Sequence, residues 1–487
     1  MASAASAPSF SRGTRDAQAQ LPHIVIFPFM AKSHTIPLTH LAHLLRRRHL
    51  ATVTFLTTPG NAAFVRAALP SADDGVAVVE LPFPDNDITV PGFPRGAECV
   101  QALDSLSSFP AFVEAASLLR PRFEEALAAA RPPASAVVAD AFLHWAQPAA
   151  AALGVRTLAF FGANVFAHVI RELCLRNNPA AALRGGATVF TMPEFPDVQF
   201  SLADIPLPFN EPDLTVMASI RKMDGKIGRA IAGSHALIVN TFDAMERRYI
   251  EHWNRHLGPR AWPVGPLCLA RPATPVSGHG GGAPAWMRWL DEKAAAGRAV
   301  LYVALGTTAA VPDAQLREVA GGLEQSGLDF LWAVRPMDAD LGTGFEDRVR
   351  GRGMVVREWV DQFAILRHGG VKGFLSHCGW NSVTESISAG VPLAVWPMGA
   401  EQPVNAKLVA DELRIGIRVP AKHGMTSTLV ESEEIARVAK ELMIGEKGAE
   451  ATRNMAALGS KAREAMDEGG SSWRAVEEMI AGLRQPA

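Results

Sequence analysis

The chain opens its ordered pattern with HIVIFPF (23–29), a short unbroken apolar run of the kind that makes a strand buried on both faces. Apolar positions Ile36, Leu38, Leu41, Leu44 and Leu45 then recur at helical spacing and end in Arg46, Arg47 and Arg48. Three cations in a last turn suit a helix C-terminus, so the spacing predicts a helix over 36–48. TVTFLTT (52–58), VAVVELP (76–82), SAVVAD (135–140), RTLAFF (156–161) and ALIVNT (236–241) repeat the strand pattern, and helical patterns separate most of them. Such alternation, with apolar runs too continuous for a sheet wet on one face, implies a parallel sheet covered by helices.

The rhythm breaks at 264–285, VGPLCLARPATPVSGHGGGAPA, which has no period and reads as a linker. It restarts with VLYVALG (300–306), FLWAVRP (330–336), MVVREWV (354–360), VKGFLSH (371–377) and PLAVWP (392–397), and the last sixty or so residues read as helices. The expected organisation is a tail over 1–20, an N-terminal α/β domain over 21–263, the linker, a C-terminal α/β domain over 286–465, and a helix within 466–487 that packs back on the first domain. In two doubly wound halves the ligand belongs between them, at the carboxyl ends of the strands.

Composition narrows the function. A chain of 487 residues with 48% hydrophobic and 20% charged residues is an ordinary globular sequence, and a formal net charge of −2 gives no basic footprint for nucleic acid. Cys99, Cys174, Cys268 and Cys378 show no paired spacing, which argues against a disulfide framework or a cysteine zinc site and fits a reducing, cytoplasmic setting. No apolar run reaches the length of a membrane span. Residues 1–20 lack the apolar centre of a secretory signal; Arg12, Arg15 and several serines faintly suggest a transit peptide, and a disordered tail is the simpler reading.

Several chemistries find no support. There is no GxxxxGK[ST] and no GxGxxG after a strand. His279-Gly280-Gly281-Gly282 lacks the GxSxG elbow that would make it an oxyanion loop. His40 and His43, one turn apart, read as helix surface, and Asp338-Ala339-Asp340 reads as a loop rather than a metal–diphosphate motif.

The informative stretch runs from Trp359 to Gln402: WVDQFAILRHGGVKGFLSHCGWNSVTESISAGVPLAVWPMGAEQ. VKGFLSH is a strand ending at His377, Cys378-Gly379 makes a tight turn, and a helix begins near Trp380. Backbone N–H groups at that start favour an anion, with His377, Asn381 and Ser382 as added donors. A diphosphate suits this set. Ser382-x-x-Glu385 is also a capping box, and an acid at 401 also suits a helix dipole, so neither explanation is exclusive.

HCGWNS, Glu385, AGVP and the closing acid–Gln pair resemble, at many fixed spacings, the nucleotide-sugar signature of plant UDP-dependent glycosyltransferases. PFMAKSHTIPLTHLAHLL (28–45) resembles their acceptor-side block, and VALGT (303–307) their phosphate-contacting strand end. The resemblance implies the GT-B fold, two Rossmann-like domains facing each other across a cleft. It implies a donor site of Thr307, Trp359, Val360, Gln362, His377, Gly379, Trp380, Asn381, Ser382, Glu385, Glu401 and Gln402. Trp359 would close a strand and stack on uracil, Gln362 would lie near that ring, Glu385 would take the ribose hydroxyls, and Glu401 with Gln402 would take the sugar hydroxyls. The closing Gln and Trp380 point to glucose.

On the acceptor side the resemblance makes His34 a general base and Asp140 its partner, for inverting transfer without metal or other cofactor. Phe29, Phe93, Phe142, Phe161, Phe166 and Phe209 are candidates for an aromatic pocket suited to flavonoids or other phenols. Asp361, where the family usually has Pro, would leave the loop after Trp359 less rigid. Lys32-Ser33 stands in place of Gln-Gly, and Gly162 in place of a hydroxyl side chain. Transfer to carbon or nitrogen, or a catalytically silent sugar-nucleotide binder, would use much of the same site. A monomer is the default expectation.

Overall fold

In a computed structural model the described residues are 21–69, 75–84, 90, 93, 96–103, 108–206, 209–210, 214–271, 282–306, 311–335, 339–420 and 429–484, with 214–217 described by backbone only. The 1–20 tail, Thr307, Asp338 and the His279–Gly281 part of the linker lie outside them.

Two parallel sheets organise these residues. The first contains β1 (His23–Phe27), β2 (Thr52–Thr57), β3 (Val76–Glu80), β4 (Ala136–Asp140) and β5 (Arg156–Phe160). β6 (Phe190–Met192) and β7 (Phe195–Phe200) form a separate antiparallel pair, and β8 (Ala236–Val239) and β9 (Ala261–Pro263) complete the first sheet in the order β3-β2-β1-β4-β5-β8-β9. The second sheet has β10 (Val300–Ala304), β11 (Asp329–Ala333), β12 (Gly353–Val356), β13 (Val371–Ser376), β14 (Leu393–Val395) and β15 (Gly416–Arg418), in the order β12-β11-β10-β13-β14-β15. β1, β4 and β10 are buried along their whole length, as a sheet covered by helices on both faces requires.

Each sheet reverses its winding once, between β1 and β4 in the first and between β10 and β13 in the second. Strand ends diverge at such a point and leave a crevice. His34 follows β1 and Asp140 ends β4 at the first crevice, and Gly306 and His377 follow the two strands of the second. The two crevices open into one cavity of about 1950 Å³.

Three expectations change. Residues 264–271 are packed, not an exposed connection: Val264, Leu267 and Ala270 join the core beneath the first helix, and the Cys268 Sγ lies 3.2 Å from the Ser388 Oγ of the second half. Pro and Gly there mark irregular backbone, which burial does not forbid once its polar groups are bonded. The first helix starts earlier than expected, at Lys32, and runs to Arg47 with Pro37 inside it. β12 ends at Val356, so Trp359 belongs to the loop beyond the strand.

The C-terminal helix, Ser471–Gly482, lies against the first domain. Val476, Met479, Ile480 and Leu483 share a core cluster with Ile24, Leu41 and Leu158. The Ser472 hydroxyl donates to the Gly265 carbonyl at 2.6 Å, and the Arg48 guanidinium sits 3.4 Å over the Trp473 ring while pairing with Glu477.

Candidate active site

His34 stands in the first turn of its helix, and Asp140 is the last residue of β4. The imidazole Nδ1 donates to the Asp140 Oδ2 at 2.7 Å, and the Phe142 backbone N–H donates to the Oδ1 at 3.0 Å, so the carboxylate is held at both oxygens. This bond fixes the tautomer and leaves Nε2 free to accept a proton. Asp140 is fully buried, whereas the His34 side chain keeps 16% exposure and lines the cavity. Burial lowers the His34 pKa, but the Asp140 charge and hydrogen bond, with a smaller push from Glu401, outweigh it and raise the pKa above 6.5.

Across the cavity, β13 delivers His377 and the chain turns through Cys378 at φ +64°, a left-handed conformation. Gly379 then begins the helix Trp380–Ala389. A Cβ on Gly379 would lie 2.5 Å from the His377 Nε2, so only glycine lets the ring fold over the turn. Burial pushes the His377 pKa down to about 4, against a weaker opposing effect of the Ala304 backbone, and the ring is neutral. The N-cap is Gly379, with no side-chain bond. Ser382 is therefore the third helical residue and does not cap, which removes the capping-box explanation of Ser382 and Glu385.

The Gln362 amide instead donates to the Ser382 Oγ at 3.0 Å and to the Glu385 Oε2 at 2.8 Å. Burial, partly offset by the Gln362 bond, pushes the Glu385 pKa up to about 7. Asp361 does not loosen this loop. Its carboxylate caps the helix Gln362–Leu366 through the Ala364 N–H and makes a two-pronged ion pair with Arg271 of the 264–271 segment. Trp359 is 56% exposed on the cavity rim, and Val360 lines the wall beside it.

Glu401 is the N-cap residue of the helix Gln402–Lys407 and shares a field with His34. The Gln402 carbonyl oxygen accepts from the Met398 and Gly399 N–H groups at 2.7 and 3.0 Å, which leaves its amide N–H₂ for the cavity. Both residues line the cavity.

Two signature residues also join the halves. Trp380 is 2% exposed, and its indole N–H donates to the Asn240 carbonyl at 2.8 Å. The Asn381 amide donates to the Ser33 carbonyl at 2.6 Å. Pro37 explains that acceptor: it has no N–H to bond the carbonyl four residues earlier, so Ser33 has an oxygen to spare beside His34.

Of the aromatic candidates, Phe142, Phe161 and Phe209 line the cavity, joined by Phe109 and Met223, which the sequence reading missed. Phe29 is fully buried among Phe109, Phe112 and Phe142, and Phe166 among Phe200 and Tyr249. Phe93 packs on Phe83 and Phe112. None of these three lines the cavity, and Phe29 backs its wall through Phe109 and Phe142. His40, expected on the helix surface, faces the cavity, and burial with the Arg271 charge lowers its pKa to about 3. Asp340 pairs with Arg317 at the surface, away from the cavity. Among the described residues no group of three or more His, Cys, Asp or Glu is arranged to hold a metal ion.

Comparison with known proteins decides the family. The profile described as UDP-glucoronosyl and UDP-glucosyl transferase matches residues 286–440. The chain is 40% identical over 471 residues to UDP-glycosyltransferase 90A1 of Arabidopsis thaliana, covering 95% of this chain and 96% of that one. The chain belongs to the plant family 1 UDP-glycosyltransferases. It is 33% identical over 486 residues to UDP-glucose flavonoid 3-O-glucosyltransferase 7 of Fragaria ananassa, covering 96% of each chain. Among solved structures, Glycyrrhiza uralensis UGT73P12 complexed with glycyrrhetinic acid 3-O-monoglucuronide superposes with a TM-score of 0.83 at 28% identity over 96% of each chain. Phytolacca americana UGT2 complexed with UDP-2fluoro-glucose and pterostilbene gives 0.74 at 28% identity over 95% of this chain and 99% of that one. The fold is GT-B. No helix among the described residues is long and apolar enough to cross a membrane.

Proposed function

We propose that this UDP-glycosyltransferase transfers glucose from UDP-glucose, with inversion, to a hydroxyl of a small phenolic acceptor, and that His34 is the base. The observation that carries the reading is the His34–Asp140 pair on one wall of a cavity whose other wall is the His377 turn and the Trp380 helix start. In this mechanism the His34 Nε2 removes the acceptor hydroxyl proton as that oxygen attacks the anomeric carbon. The bond from that carbon to the diphosphate breaks, and UDP leaves with the electron pair. Asp140 stabilises the imidazolium that forms. The charge arriving on the diphosphate meets the N–H groups at the start of the Trp380–Ala389 helix, together with the His377 ring and the Ser382 hydroxyl. One displacement inverts the carbon, so UDP-α-glucose gives a β-glucoside.

The donor roles rest on the chemistry of the groups present. Trp359 offers an exposed indole to the uracil, and Glu385 offers a carboxylate to the ribose hydroxyls. Glu401 and Gln402 offer an acceptor and a donor to the sugar. Thr307 is kept in the donor set on its sequence motif alone. The phenolic acceptor is supported by the aromatic wall of Phe109, Phe142, Phe161 and Phe209, by the flavonoid named for the Fragaria relative, and by the pterostilbene bound to the Phytolacca neighbour. Neither metal nor another cofactor takes part in the proposed step. Release of UDP from UDP-glucose, measured over a panel of phenols with chelator present, tests the whole reading. Acceptor-dependent release supports it, and loss of all release on adding chelator overturns the metal-free step.

A further inference from the structure

Among the buried polar contacts between the halves, one joins two side chains that are both wholly shielded from solvent. Asn164 and Asn405 are both 0% exposed, and they come from different domains. The Ala167 backbone N–H donates to the Asn164 Oδ1 at 2.6 Å, which makes Asn164 the N-cap of the helix Val165–Asn177. The Asn164 Nδ2 donates to the Asn405 Oδ1 at 2.8 Å. The Asn405 Nδ2 donates to the Cys378 carbonyl at 2.9 Å and to the Glu401 Oε1 at 3.3 Å. The relay begins at a backbone N–H and reaches a backbone carbonyl, so both amides can point in only one direction.

Its ends are the parts that the transfer reaction must hold in register. Asn164 closes the loop that carries Gly162, where a Cβ would lie 3.2 Å from the His34 ring. Cys378 is the left-handed residue of the turn that aims the helix start at the diphosphate, and Glu401 is the acid proposed for the sugar. The geometry assigns Asn164 and Asn405 as a cross-domain positioning relay that sets the base-bearing wall against the sugar-bearing wall. This rests on the glucosyl-transfer reading above. A buried pair of hydrogen-bonded amides is rigid because breaking it leaves polar groups unsolvated, and small displacements of reacting groups are costly in rate.

Asn164→Ser and Asn164→Asp test it. Both keep an oxygen for the Ala167 N–H, so the helix cap is retained, and melting curves of both variants show whether the fold is. Ser loses the reach to Asn405, whereas Asp presents an acceptor to an acceptor and forces the Asn405 amide to choose between Asn164 and Cys378. With UDP-glucose and an acceptor, the expected result is a kcat about ten-fold lower in Asn164→Ser and lower again in Asn164→Asp. The dissociation constant for UDP should stay within two-fold in Asn164→Ser. Hydrogen exchange over 377–382 in the UDP-bound protein should be faster in Asn164→Asp than in the parent. A kcat within two-fold of the parent in both variants overturns the relay, as does an Asn164→Asp no worse than Asn164→Ser, or exchange that does not change. A parent chain that binds UDP yet turns over no UDP-glucose sinks the glucosyl reading instead, and the exchange result then decides the relay without turnover.

Discussion

His34 and Glu385 are two titratable groups displaced in the same direction by different causes. For His34 burial alone would depress the pKa, and the Asp140 carboxylate reverses it. The proposed base would work when deprotonated, so kcat/KM should climb with pH through a limb above 6.5. In Asp140→Asn burial acts with less opposing charge, and the limb should move to lower pH while the plateau rate falls; a pH–rate profile of the two proteins checks this. Replacing the proposed acceptor-side base, His34→Ala, should cost roughly 10²–10⁴-fold in kcat with UDP binding retained. Near-parental turnover in that variant would end the assignment. Glu385, pushed up to about 7 by burial, is partly protonated near neutrality before ligand arrives. Ribose hydroxyls donated to this carboxylate, as proposed, would favour its charged form, so UDP binding at neutral pH should release a fraction of a proton. Calorimetry in buffers of different ionisation enthalpy should show that release in the parent and lose it in Glu385→Gln.

At the scale of elements, Asp361 exchanges rigidity from a ring for rigidity from bonds. It caps the Gln362–Leu366 helix and ties it to Arg271, and Gln362 in turn holds Glu385 and Ser382. Asp361→Asn keeps a good cap and loses the charge pair, which is worth about 1 kcal/mol with Arg271 still 30% exposed. Asp361→Ala loses both. The KM for UDP-glucose should therefore rise in the order parent, Asn, Ala, and equal values for all three would show that the pair does not position the nucleotide site. The C-terminal helix carries a larger share of stability. Val476, Met479, Ile480 and Leu483 would each be worth about 1.5–3 kcal/mol of burial, which together rivals the roughly 5–15 kcal/mol margin of a folded protein. Removing 471–487 should unfold the first domain or lower its melting temperature steeply, and an unchanged melting curve would contradict the packing described.

The whole molecule is two crevices brought face to face. Each crevice arises within its own sheet, where the winding reverses. Across the cavity's flanks Trp380 reaches Asn240, Asn381 reaches Ser33, Arg271 reaches Asp361 and Asn164 reaches Asn405. Apolar packing also crosses between the halves, where Phe166 and Trp253 share a core cluster with Val404 and Met455, but these four contacts are polar and directional. They specify how the halves sit more than they stabilise either one.

The sequence by itself determined the two parallel sheets, since strands buried on both faces must be written as unbroken apolar runs. It also determined the segment proposed for the donor, because a strand, a turn and a helix start are local and their residues lie close in the chain. The pairing of His34 with Asp140 was readable through the family resemblance alone, and the 2.7 Å bond belongs to the folded chain. Only the tertiary structure decided which aromatic residues face the cavity, because periodicity assigns a residue to a buried face without saying what lies opposite. It decided that Ser382 bonds Gln362 and does not cap, that the 264–271 segment is packed, and that Trp359 stands free of its strand. It alone joined Asn164 to Asn405, two amides separated by 241 positions, for which no local pattern carries a signal.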